Sequence, residues 1–257
     1  MTLKVATFNI WFDHLYMLER MRLIVKEILE ESVPIDVIAF QEVTAVSLEY
    51  FQKSPLKDRY YFMKKKLTKS YDTVILLRKD QGLGLISYNC VEFPDTAMGR
   101  GLEIIKIYNH KAQKYYLIAT THLESQFHTN EIKLNQFKNS FQTLEKLNQM
   151  TPEAQKASLT ILMGDTNIIN PEESQFKVPD GWSDIYLELN PPKNLKYTYD
   201  YSMNNNVYLK KKSRLDRIYY QSSSMKPNSF AFLGQEPNQE GIYPSDHFGI
   251  LSTFSSD

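Results

Sequence analysis

The sequence predicts an α/β fold in which two sheets pack face to face and helices cover their outer surfaces. Two observations carry that expectation: short β-rich runs recur along most of the 257 residues, and only two long stretches repeat their apolar residues at helical spacing. A third bears on domain count. No internal repeat, low-complexity tract or long linker divides the chain, and its length suits one substantial core. Residues 1–257 are therefore expected to form a single domain.

Residues 3–10 form a run of β-branched and aromatic side chains and read as the first strand. Leu15, Leu18, Met21, Val25, Ile28 and Leu29 then recur at helical spacing and stop before Pro34. The short apolar run 36–41 is typical of a buried strand, and further strands are predicted at 73–78, 85–91, 102–108 and 115–121. A second amphipathic helix covers about 131–148, with Leu134, Phe137, Phe141, Leu144 and Leu147 on one face. Strands at 159–163, 214–220 and 248–254 complete the series. The stretch 171–212, rich in Pro, Asn, Lys and Tyr, reads as loops with one short helix.

Composition narrows the function classes. Hydrophobic residues at 42% and aromatics at 13% describe a globular chain rather than a disordered one. Thirty basic and thirty acidic side chains cancel, so bulk charge gives no case for nucleic acid and any basic footprint is local. The dense basic runs are Lys64–Lys66 with Lys69, and Lys210–Lys212 with Arg214; each is either a solvated edge or, if it flanks a site, a backbone contact. A single cysteine, Cys90, excludes an internal disulfide framework and a cysteine-based zinc site. The first residues lack the apolar core of a secretory signal, and no stretch reaches the roughly 18 apolar residues of a bilayer span. A soluble, intracellular protein with no membrane partner is expected, nuclear in a eukaryote and cytoplasmic in a bacterium.

Polar residues fall where the predicted strands end. Asn9 closes the first strand, Glu42 the second, and His122 follows 115–121. Asp165 and Asn167 follow 159–163, Asp216 lies within 214–220, and Asp246 and His247 precede the last strand. Each has an ordinary alternative as a turn or structural residue, but together they suit one site on a sandwich edge. A carboxylate such as Glu42 at the end of a core strand needs a partner or an ion. The set supplies what phosphodiester hydrolysis needs. Glu42, with Asn9 and Asp246 in support, can ligate a hard cation such as Mg²⁺. Asp165 can orient or deprotonate water, Asn167 can donate to phosphate, and Asp216 is the candidate for fixing the tautomer of His247. Arg100 and Tyr71 are candidate phosphate contacts whose ordinary reading is a solvated loop. Tyr197, Tyr199 and Tyr201 could share one face of an extended segment, as packing or as a stacking platform.

The runs TFN, FQE, THLES, GDTN, RLDRI and PSDHFG, in this order from Thr7 to Gly249, resemble the endonuclease/exonuclease/phosphatase superfamily. That resemblance implies a four-layered α/β sandwich of the DNase I-like kind, with two mainly antiparallel sheets flanked by helices. It also implies Mg²⁺ or Mn²⁺ dependence and in-line attack by water. Asn9 and Glu42 would belong to the metal site, Asp165 and Asn167 would handle water and phosphate, and Asp246 and His247 would complete the centre. Within the superfamily, THLES, Asn135-Gln136, GDTN, YTYD and PSDHFG look like the tyrosyl-DNA phosphodiesterases, which remove a topoisomerase tyrosine from a DNA 5′ phosphate. This branch would put His122 and Ser125 near the phosphate, and Tyr199 and Leu215 in the DNA groove. Tyr199 and Leu215 depart from the branch's Trp and aromatic residue at those places, and Ile168-Ile169 after GDTN lacks a basic contact.

The implied substrate is DNA with a 5′ tyrosyl adduct, bearing a topoisomerase-derived peptide, acted on by a monomer. Three alternatives stay open: a general nuclease acting at abasic sites or 3′ ends, a lipid or inositol phosphate phosphatase, and a DNA-binding module without activity.

Overall fold

The computed structural model describes residues 2–79, 82–126 and 130–256. The chain begins with β1 (Thr2–Asn9), α1 (Met17–Glu30), β2 (Val37–Thr44), α2 (Ala45–Lys53), α3 (Leu56–Arg59), β3 (Tyr60–Phe62) and β4 (Tyr71–Arg78). Its middle holds β5 (Leu83–Glu92), β6 (Gly101–Asn109), β7 (Lys114–His122), α4 (Asn130–Gln149) and β8 (Ala157–Asp165). After these come β9 (Ser183–Asp184), α5 (Ile185–Leu189), β10 (Tyr199–Asp200), β11 (Lys212–Ser213), β12 (Asp216–Ser222), β13 (Lys226–Leu233) and β14 (Gly249–Ser255).

Two six-stranded sheets result, ordered β13-β14-β1-β2-β4-β3 and β5-β6-β7-β8-β12-β9. Pairing is antiparallel except at β1–β2 and β7–β8, where the helices α1 and α4 make the crossovers. Alternation along each strand sorts side chains into three apolar layers. Leu3, Val5, Val37 and Ala39 face Tyr116, Ile118, Ile161 and Ile218 between the sheets. Ala6, Phe8, Ile38 and Phe40 pack outward under Met21, Ile24 and Phe51 of α1 and α2. Ile104, Leu117, Leu162 and Tyr219 pack outward under Phe137, Phe141 and Leu144 of α4. The helix–sheet–sheet–helix order is the four-layered sandwich.

Details depart from expectation for physical reasons. In α1 the buried stripe is Met17, Arg20, Met21, Ile24, Val25 and Ile28, while Leu15 and Leu18 are exposed. Arg20 completes that stripe because its guanidinium donates to the carbonyls of Ile10, Trp11, Asp13 and Leu15, which fixes the turn after β1. The apolar pattern does not announce α2, α3, β3 and β13, nor the two-residue strands β9, β10 and β11. Only nine residues form α2, held by a capping box between Thr44 and Ser47. Pro227 and a bulge break the pattern of β13, which lies on a sheet edge where proline is tolerated.

Candidate active site

Four strands of the inter-sheet layer turn polar at the same end. The face of β1 that carries Leu3 and Val5 goes on to Thr7 and Asn9. The face of β7 with Tyr116 and Ile118 goes on to Thr120 and His122, that of β8 with Ile161 and Met163 ends at Asp165, and that of β12 with Ile218 begins at Asp216. Gln41 is the lowest polar rung, donating to Thr7 Oγ1 and Thr120 Oγ1, each at 3.0 Å, across the two sheets. Above it Asn9 Nδ2 donates to Asp165 Oδ2 at 2.9 Å. His122 Nε2 is 3.4 Å and His247 Nε2 4.0 Å from the same oxygen.

Glu42 reaches this cluster through a bulge. Strict alternation after Ile38 and Phe40 would bury it under the helices, but the β2–β4 register shifts between Phe40 and Val43 and Glu42 adopts φ 60°. An inserted residue of this kind re-aims a side chain. Glu42 Oε2 accepts from Phe12 N at 2.9 Å, and Oε1 lies 3.9 Å from His122 Nε2. Asp165 is placed by a similarly special backbone: at Gly164 (φ 142°) a Cβ would sit 2.0 Å from Thr121 O on β7.

Each histidine has an assigned partner. His247 Nδ1 lies 2.7 Å from Asp216 Oδ2, so it donates that hydrogen and Nε2 faces the cluster. Arg100 Nη1 lies 2.8 Å from His122 Nδ1; because a guanidinium only donates, Nδ1 of His122 accepts and its hydrogen resides on Nε2. Burial and the neighbouring Arg100 hold His122 down to about 3, so it is neutral. Burial opposes charge on His247 too, but Asp216 and Asp246 raise it well above the usual histidine range. Burial also works against the Asp165 carboxylate, yet His122 and His247 keep it below its ordinary value. Glu42 is pushed up to about 7 by burial and the charge of Asp246, and burial pushes Asp246 up to about 6.

These last two groups bear on metal binding. Glu42 Oε1 takes no hydrogen bond among the described residues, and Asp246 has a long 3.4 Å contact from Ser245 Oγ and one from its own backbone N–H. Half-buried acid oxygens with so few donors fit a hard divalent cation, and the Asn9 amide oxygen, which accepts from Trp11 N at 3.0 Å, keeps a second lone pair for one. Asp165, Asp216 and His247 also bring ligand atoms within 4.8 Å of one another. There, however, the 2.7 Å His247–Asp216 hydrogen bond already occupies Nδ1 and one Asp216 oxygen.

The remaining candidates divide. Arg100 reaches Tyr71 OH at 3.3 Å and lies over its ring, and Tyr71 stacks on Phe12 with centroids 5.0 Å apart. Tyr199 sits edge-on to His247 at 5.3 Å. Asn167 (φ 51°) gives one amide hydrogen to Leu123 O at 3.0 Å, which leaves the other for a ligand. Ser125 is exposed, its hydroxyl 3.5 Å from Met98 Sδ. Leu215 is 9% exposed, and its carbonyl accepts from Thr166 N and Oγ1, so it braces the GDTN turn from below.

The basic runs divide: Lys65, Lys66 and Lys210 are exposed, while other members are engaged. Lys64 is tied to Asp72, and Arg214 is buried against Asp184 and Glu173. The tyrosine platform is also interrupted: β10 ends at Asp200, and Tyr201 stands in a turn beside Lys212. Two contributors escaped sequence reasoning. Arg20 carried a signal, a charge inside an apolar helical stripe. Glu124 lies in THLES, where nothing in the pattern sets it apart from its neighbours; its Oε1 accepts from Thr96 Oγ1, Ala97 N and Met98 N, and so shapes the loop that delivers Arg100.

Two facing sheets with outer helices, and a cluster of buried carboxylates and histidines at their shared end, define the architecture of the phosphoester-cleaving sandwiches. The chain belongs to the Endonuclease/Exonuclease/phosphatase family, whose model matches residues 6–247. It is 32% identical over 225 residues to Tyrosyl-DNA phosphodiesterase 2 of Bos taurus, an alignment that covers 85% of this chain and 58% of the bovine protein. The chain thus spans little more than half of that relative. A solved structure of truncated Caenorhabditis elegans TDP2 matches with a TM-score of 0.86 at 25% identity, covering 100% of this chain and 98% of that one. Danio rerio TDP2 complexed with single strand DNA product matches with a TM-score of 0.85 at 27% identity, covering 99% of each chain. Among the described residues no helix is long and apolar enough to cross a membrane.

Proposed function

We propose that the chain is a divalent-metal-dependent phosphodiesterase that hydrolyses the 5′-phosphotyrosyl bond between DNA and a topoisomerase-derived peptide. Residues 1–257 would act as one catalytic domain and as a monomer. The observation that carries this reading is the convergence of Asn9, His122 and His247 on Asp165, beside Glu42 and with Asp216 behind His247. The names of the bovine relative and of the product-bound fish structure support the choice of substrate.

Glu42, Asn9 and Asp246 would hold Mg²⁺ or Mn²⁺, which when bound offsets the negative charge of the phosphoryl group. Asp165, kept ionised between two histidines and aligned by Asn9, orients the attacking water and takes its proton. His247, protonated and aimed by Asp216, donates to a phosphoryl oxygen; His122, neutral with its hydrogen on Nε2, donates beside it. Arg100 and Tyr71 flank the tyrosyl ester, with Ser125 on the same loop side. Tyr199 stacks on a base, and Asn167 and the Leu215-braced turn hold the nucleotide. Water oxygen bonds to phosphorus as its proton passes to Asp165, the P–O bond to tyrosine breaks, the tyrosyl oxygen leaves as phenolate and takes a proton from solvent, and a 5′ phosphate remains.

The test is incubation of the protein and Mg²⁺ with a 5′-phosphotyrosyl oligonucleotide. Release of tyrosine and a 5′ phosphate is expected, with at least a ~10²-fold loss in the Asp165→Asn variant. Release no faster than that variant's sinks the reading, and preference for an abasic duplex replaces it with a general nuclease.

A further inference from the structure

A cavity of about 290 Å³ opens beside Arg100 and His122, between the start of β4 and the β5–β6 hairpin. It reaches the catalytic cluster through Tyr71, Arg100 and His122, whereas Asn167, Tyr199 and Leu215 form no part of its lining. Its charges balance: Lys64, Lys69 and Arg100 stand against Asp72, Glu92 and Glu103. The lysines are engaged within the wall. Lys64 lies 2.7 Å from Asp72 and 3.4 Å from Glu103, and Lys69 donates to Gly99 O and lies 3.6 Å from Glu92.

A nucleic-acid strand is held by cations free to neutralise successive phosphates, and this wall presents none beyond Arg100. Mixed charges and the apolar surface of Val91, Met98 and Leu102 instead match a polypeptide, which carries both polar and apolar groups. The cavity volume lies near the small end of the ~300–1,000 Å³ range of ligand clefts, so it accommodates a few side chains at most.

We propose that this cavity seats the polypeptide attached to the scissile tyrosine, while the nucleotide strand leaves the cluster on the Tyr199 side. The inference rests on the proposed 5′-tyrosyl phosphodiester hydrolysis and assigns the leaving-group arm of that substrate.

Cys90, the single cysteine of the chain, is exposed in the cavity wall, so a bulky maleimide marks this place alone. Two oligonucleotides serve as substrates, one ending in a lone 5′-phosphotyrosine and one whose tyrosine lies within a short peptide. Alkylation should raise KM for the peptide-bearing substrate about tenfold relative to the lone-tyrosine substrate. The treated Cys90→Ser protein should show no such change. Equal slowing on both substrates, or on neither, overturns the proposal. A second measurement uses the Asp165→Asn variant and follows the rate at which maleimide reacts with Cys90. The peptide-bearing oligonucleotide should slow that reaction several-fold more than the lone-tyrosine one, and equal rates overturn the assignment. If the unmodified protein releases tyrosine from neither oligonucleotide, the hydrolysis reading falls by itself, and protection at Cys90 then decides the cavity separately.

Discussion

Glu124 touches none of the groups around Asp165, yet three donors from the 96–98 segment converge on its Oε1 at 2.7 to 3.1 Å, and Gln136 Nε2 on α4 approaches the same oxygen at 3.4 Å. Burial opposes its charge, but these donors outweigh burial and hold the carboxyl below its usual value. The loop so anchored carries Arg100 to His122 and Tyr71. Hydrogen bonds to a charged group contribute about 1.5–3 kcal/mol each, so a neutral amide in its place loosens the loop without emptying the core. Glu124→Gln should therefore lower kcat on the phosphotyrosyl oligonucleotide by about tenfold or more at unchanged far-UV circular dichroism. Activity within about twofold of the parent would show that Arg100 holds its place without Glu124.

At the scale of elements, two close approaches can be tested. β7 and β8 run parallel with Gly164 opposite Thr121, and a methyl group at Gly164 meets Thr121 O at 2.0 Å in a backbone region that L-residues rarely adopt. Gly164→Ala should destabilise by more than ~4 kcal/mol, through backbone strain at a place where nothing flexible can yield; urea unfolding would measure it. On the outer face, Phe141 of α4 packs on Phe137, Trp182 and Tyr219. Phe141→Ala should cost about 3–5 kcal/mol by leaving a cavity in that layer, seen as a fall in Tm of roughly 2–4 °C per kcal/mol. The same scale explains what the amino-acid pattern revealed. Asn9, His122, Asp165 and Asp216 were legible because period-two alternation extends each apolar inner face to its polar tip. The orientation of Glu42 was not, since it depends on a bulge that alternation does not announce. Pairing hid the roles of Lys64 and Arg214: a basic run shows charge, but only the fold shows which carboxylates meet it.

Over the whole molecule, two groups of carboxylates pull stability in opposite directions with pH. Burial would raise Glu173, but Arg217 and Arg214 outweigh it and hold it at about 2, below its ordinary 4.5. A depressed carboxyl contributes stability that is present above the unfolded value and lost as pH falls from about 4.5 towards 2. Glu42 and Asp246 carry the reverse sign. Their folded values, about 7 and about 6, exceed the ordinary 4.5 and 3.8, so their contribution is complete below those ordinary values. It drains away as pH rises through 6 and 7, when both must ionise in a desolvated site. Metal-free protein should therefore be most stable near about pH 5 and lose Tm towards about pH 8. A cation bound by Glu42 and Asp246 compensates the ionised forms and competes with protons for them, so it acts mainly on the alkaline limb. Thermal melts with EDTA or with Mg²⁺ should separate little near about pH 5 and widely near about pH 8. A Mg²⁺ effect of equal size at both, or its survival in Glu42→Gln, would place the cation elsewhere.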